Sequence, residues 1–259
     1  MPINIQPFLN VIQSILQSVG QVSNLLPPFI LPPSLLPPSF IAPPLYKEIA
    51  IPVPQPPGIT GLPPFIYFDI STFFNATQEQ NIKDAISIVL FNWSFHLTQK
   101  WNGGLNNGLS QLASCSNAYA TKNLKPIWYK GVAITNGRKA LEVAMDQFTE
   151  MIKDNGFRRS PKSRIDWITI PFYDPIVLAT TSTGQNNVPL NFIINATKLD
   201  DPGIGFNAGS MFHAWLHRAG FLDPNSTSYF ITEASMCVMR GYQPKHPDVP
   251  DTIYYQYFD

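Results

Sequence analysis

Charge is scarce in this chain. Asp, Glu, Lys and Arg make up only 13% of its 259 residues, about half the usual share, and 17 acidic side chains cancel 17 basic ones. Zero net charge excludes the electrostatic footprint of a nucleic-acid binder or of a protein that reads an anionic membrane. It also weakens repulsion between copies, which favours self-association. Cysteine is nearly absent. Cys115 and Cys237, with no C-x-x-C, exclude a disulfide framework but leave room for one bridge. The start of the chain lacks both a basic n-region and a small-residue cleavage site, so an ordinary secretory signal is not expected. The expectation is a cytoplasmic protein or one released by a non-classical route. Residues 8–26 are too polar to span a bilayer, and no transmembrane segment is expected.

What is present divides into two parts. Residues 1–46 contain no charged side chain. Within them Phe8, Ile12, Ile15, Leu16, Val19, Val22 and Leu26 share one stripe opposite Gln, Ser and Asn, the pattern of an amphipathic helix with a neutral polar face. Pro-Pro pairs then recur at 27, 32, 37 and 43, interleaved with Leu, Ile and Phe. Double prolines forbid helix and impose extended chain. An apolar extended arm is costly to leave in water, so residues 1–63 are expected to act as an assembly or pro-segment-like arm, most simply by making a homo-oligomer.

Residues 64–259 are expected to form one α+β domain. "FIYFDIS" (65–71) reads as a strand, and Thr77 with Gln80 fits a capping box before a long helix to about 101. "IWYKGVAI" (127–134) reads as a strand. Leu141, Met145, Phe148 and Ile152 predict a helix over 138–154, and strands are expected at 164–173 and 188–196. The last expected helix starts near Asn207 and stops at Gly220, followed by a glycine-punctuated tail.

That helix carries the chemistry. His213 and His217 are i and i+4, so both imidazoles can face one ion at about 2.0–2.1 Å. Gly220 lets the chain turn out of the helix, and Asp223 can return as a third, carboxylate ligand. His213-x-x-x-His217-x-x-Gly220-x-x-Asp223 resembles the extended zinc motif of the metzincin metallopeptidases. The resemblance implies a zincin-like mixed sheet with long helices, a Zn(2+) ion, and a peptide or protein substrate. It also implies that the helix near 77–101 is the first helix of the upper subdomain, and that the strand before 197–206 edges the cleft. A methionine turn beneath the metal is implied too, with Met236 preferred over Met239. Residues 1–63 have no counterpart in the resemblance.

The departure is Ala214, where the family has its general-base glutamate. Alanine cannot relay a proton, and general acid–base help is worth roughly 10²–10⁴-fold, so the resemblance implies a peptidase domain that is impaired as written. Whether Ala214 is natural or an introduced knock-out stays open. The alternative reading is a non-catalytic structural protein, a pseudo-peptidase or crystal- or toxin-like component that assembles through its arm. Glu233 is an alternative third ligand. His96, His246 and Tyr242 read as packed or solvated residues, and "RRSPKSR" (158–164) reads as a solvated loop.

Overall fold

The alternation in Phe65–Ser71 (β2) does what period two requires: Ile66, Phe68 and Ile70 are fully buried while Tyr67 and Asp69 sit half out. This strand lies inside a five-stranded mixed sheet. The structure is a computed structural model that describes residues 45–101, 108–159, 161–168, 178–179, 190, 192–199, 203–223 and 227–252. The expected helix at 8–26 and the Pro-Pro repeat up to Pro44 lie outside the described residues.

The sheet begins before the expected boundary at 64. Tyr46–Pro52 (β1) pairs antiparallel with β2 along its whole length, burying Ile49 and Ile51, and the compact unit runs from Pro44 to Asp259. The other strands are Ser163–Ile168 (β3), Leu178–Ala179 (β4) and Phe192–Asn195 (β5), in the order β1-β2-β3-β5-β4. β2, β3 and β5 are parallel; β1 and β4 run antiparallel at the two edges. One expectation changes here: the strand before 197–206, implied to edge the cleft, is internal as β5, and Leu178–Ala179 takes the edge instead.

Among the described residues, five α-helices cover the sheet and each other: Ala76–Trp101 (α1), Gln111–Tyr119 (α2), Gly137–Gly156 (α3), Ile204–Arg218 (α4) and Phe230–Met239 (α5). α1 buries Ile82, Ile86, Val89, Leu90, Trp93 and Leu97, the spacing read from sequence. Its capping box is Asn75 with Gln78, two residues before the expected pair. The Gln78 N–H donates to Asn75 Oδ1 at 2.9 Å, and the Asn75 N–H to Gln78 Oε1 at 3.1 Å. α3 starts on Asn136, whose side chain accepts from Lys139 N–H, and joins α1 through Trp93 Nε1–H to Thr149 Oγ1 at 3.0 Å. Cys115 on α2 and Cys237 on α5 form a disulfide across 122 residues. The architecture is α+β, and no described helix is long and apolar enough to cross a membrane.

The run 127–134 is not a strand. Ile127 N–H and Trp128 Nε1–H donate to the end of α4 rather than to a sheet neighbour, and Ile127 and Val132 are 68% and 84% exposed. β-branched and aromatic residues fit a pleated surface only when there is a strand beside them.

Candidate metal centre

α4 is held from behind. Met211, Phe212, Trp215 and Leu216 are fully buried, and Phe148 of α3 meets Phe212 and Trp215 edge-on at 5.3 and 5.6 Å between ring centroids. Burial of each large side chain contributes about 1.5–3 kcal/mol, so the helix has one favoured rotation. His213 and His217 therefore emerge together, with ring centroids 4.8 Å apart and their Nε2 atoms 3.1 Å apart.

The helix ends where the sequence says it should. Gly220 adopts φ +92°; its N–H donates to His217 O at 2.9 Å, and Phe221 N–H donates to Leu216 O at 3.1 Å. This pair of bonds is the Schellman arrangement. A Cβ at Gly220 would stand 2.4 Å from Trp128 Nε1, so glycine is required twice, by conformation and by space. The chain then doubles back and brings Asp223 Oδ2 to 3.3 Å from His213 Nε2 and 2.8 Å from His217 Nε2.

The second nitrogen of His217 sets its tautomer. Nδ1 lies 3.0 Å from the Phe221 carbonyl, which can only accept, so Nδ1–H donates to it and Nε2 is the nitrogen left to the cluster. Nε2 faces the Asp223 carboxylate. Burial opposes charge on Asp223, but hydrogen bonds from His213 and His217 overcome it and hold the carboxyl well below the usual range. Burial pushes the His213 pKa down, against the pull of Asp223. At neutral pH the group thus has an anionic carboxylate and a neutral His213, the protonation states a metal requires.

Geometry permits an ion. A triangle with sides of 3.1, 3.3 and 2.8 Å has its corners about 1.8 Å from its centre, so an ion about 2.0–2.1 Å from all three atoms fits just off that plane. Side-chain exposures of 22% at His217 and 38% at Asp223 leave one side open for a further ligand. Among the described residues, His213, His217 and Asp223 are the only group of three or more His, Cys, Asp or Glu so arranged.

The other sequence candidates are elsewhere. Glu233, the alternative ligand, is fully buried on α5 and pairs with Lys245 Nζ at 2.9 Å, so its carboxylate is committed away from the histidines. Met236 lies within helix α5 rather than in a turn, and packs against Met239 and Val249. Ala214 is 1% exposed. His96 is buried, with Nδ1 2.6 Å from Ser110 Oγ; His246 is exposed beside Asp248; and the Tyr242 hydroxyl donates to Asn92. In the basic loop, Arg158 and Lys162 are neutralised by Glu48 and Asp69.

Sequence reading missed the residues around the Asp223 turn. Ile127 N–H donates to Gly220 O and Trp128 Nε1–H to Ala219 O, both at 2.8 Å. Only the long-range fold brings this segment to the helix end, so no local pattern could have shown it. No protein family, no curated protein and no solved structure matches the chain.

Proposed function

We propose that the folded domain is a zinc-binding, metzincin-like metallopeptidase domain, impaired because Ala214 stands where a general base is needed. One observation carries the reading. His217 Nε2, His213 Nε2 and the Asp223 carboxylate oxygen lie within 3.3 Å of one another. Protons or a metal ion can hold such a trio together, and three atoms at metal-ligand spacing favour the ion. Further support comes from the mixed sheet and from β4, an antiparallel edge strand packed against α4. An edge strand beside that helix can pair with an extended peptide.

In this reading His213, His217 and Asp223 hold zinc. Zinc would supply Lewis acidity toward a carbonyl oxygen and acidify water at its open position. The Phe221 carbonyl keeps His217 in the ligating tautomer. Ala214 can neither take nor hand on a proton, so peptide hydrolysis should be weak.

Titrating metal-free protein with Zn(2+) tests the reading. The expected result is one ion per chain, lost in His213→Ala and in His217→Ala. Because burial lowers the His213 pKa, proton competition at that ligand should begin only below the ordinary histidine value of about 6.5. No uptake, or full uptake by both variants, overturns the ligand assignment.

The arm belongs to the proposal on the strength of its uncharged, apolar sequence. We expect sedimentation at high concentration to give an oligomer for the full chain and a monomer for a chain starting at Pro44. That start, rather than the expected boundary at 64, keeps β1 in the sheet. Equal masses contradict the assembly role. The Cys115–Cys237 bridge favours an oxidising compartment, and so the released half of the expected locations.

A further inference from the structure

We propose that Trp128 is a positioning residue for the ligand Asp223, acting through the turn that ends α4. The inference rests on the metal reading above and goes beyond it, because neither the motif nor the spacing of the ligands involves residue 128.

The loop between α4 and α5, which carries Asp223, is held at both ends by one stretch of chain. At its start, Trp128 Nε1–H donates to Ala219 O and Ile127 N–H to Gly220 O, each at 2.8 Å. At its end, Thr121 and Lys122 N–H groups donate to Ser228 O at 2.8 and 3.1 Å, and Phe230 N–H donates to Lys122 O at 3.0 Å. Residues 121–128 thus hydrogen-bond to both ends of the loop. Between the clamps, Phe221 is fully buried against Phe230, with ring centroids 4.6 Å apart, and Asp223 is exposed. An exposed carboxylate two residues past a buried anchor takes its direction from the backbone leading to it.

Trp128 governs that backbone in two ways. Its N–H satisfies a carbonyl that the helix end leaves open, and its indole edge fills the space over Gly220 where a Cβ would go. The left-handed turn and the indole fit each other. Removing the donor frees the Ala219 carbonyl to rotate, and rotation there swings the path to Phe221, whose own carbonyl holds His217 Nδ1. One side chain thus bears on two of the three ligands. Groups that orient metal ligands from behind are worth about 10–100-fold in metal affinity.

The test uses Co(2+) as the probe, read by its visible absorption, on the full chain. Trp128→Phe keeps the ring and removes the donor. We expect about a 10–100-fold loss of Co(2+) affinity and a spectrum shifted toward that of Asp223→Ala. His213→Ala should abolish uptake. A second measurement needs no variant: coupling is reciprocal, so loading the native protein with Zn(2+) should slow hydrogen exchange at the Trp128 indole N–H and the Ile127 amide at least about tenfold. Native affinity and spectrum in Trp128→Phe overturn the inference, and so does exchange unchanged by Zn(2+). Those failures leave the metal reading standing. Absence of Co(2+) uptake by the native chain overturns both.

Discussion

Replacing Ala214 with glutamate is expected to raise peptide hydrolysis by the zinc-loaded protein at least ~10²-fold. The substitution puts a carboxylate one residue past His213, on the helix whose rotation Phe148, Phe212 and Trp215 hold. A carboxylate there can take a proton from water and pass it to the leaving amine, which alanine cannot. Glutamate is a good helix former, but Ala214 is 1% exposed, so part of the new side chain must be desolvated. That should cost about 1–3 kcal/mol, and the assay belongs well below the melting temperature. Chelation should abolish the gain. The assay should be run on the full chain and on a chain starting at Pro44, since an apolar arm can hide a cleft. If zinc-loaded Ala214→Glu is inert toward a broad peptide library in both, the domain is not a latent peptidase and the structural alternative takes its place.

Loss of the disulfide is expected to be the largest stability effect. Cys115 and Cys237 close a loop of 122 residues between α2 and α5, and cross-linking a loop of that length restricts the unfolded chain by about 3–5 kcal/mol. Both cysteines are buried, at 7% and 0% exposure, so the bond should resist reductant until the domain opens. The double variant Cys115→Ala/Cys237→Ala should melt about 10 °C lower than the native protein, on the scale of about 2–4 °C per kcal/mol for a domain this size. An unchanged melt, or two reactive thiols in the folded native protein, contradicts the bridge.

The parts of the fold that were legible in sequence are those where one face is dry and the other wet. α1 and α3 have such faces, and Ile82 to Leu97 and Leu141 to Ile152 gave them away. β2 alternates for the same reason. α5 was not legible because it has no wet face: Phe230 to Val238 are all buried, and a helix buried all round carries no period. α2 is short, with only Leu112, Ala113, Cys115 and Ser116 buried, and shows little pattern. β1 was lost beneath the expectation that the arm ran to 63, since Lys47 and Glu48 on its outer positions look like linker. The run 127–134 misled in the other direction, because Ile127 and Trp128 there serve a helix end and Val132 is exposed.

Of the candidate centre, His213, His217, Gly220 and Asp223 were readable because a helix and its cap are local objects with fixed spacing. Met236 and Glu233 were not, because their roles depended on whether residues 230–239 form a turn or a helix. Trp128 is contributed by tertiary structure alone, 91 residues from the carbonyl it meets.

The claim on which everything else rests is that His213, His217 and Asp223 hold one metal ion. Crystals grown with Zn(2+), measured on both sides of the zinc absorption edge, test it most directly. One anomalous peak per chain is expected, about 2.0–2.1 Å from His213 Nε2, His217 Nε2 and an Asp223 carboxylate oxygen. Ordered His213, His217 and Asp223 side chains with no peak between them, or a peak bound elsewhere on the chain, would contradict it.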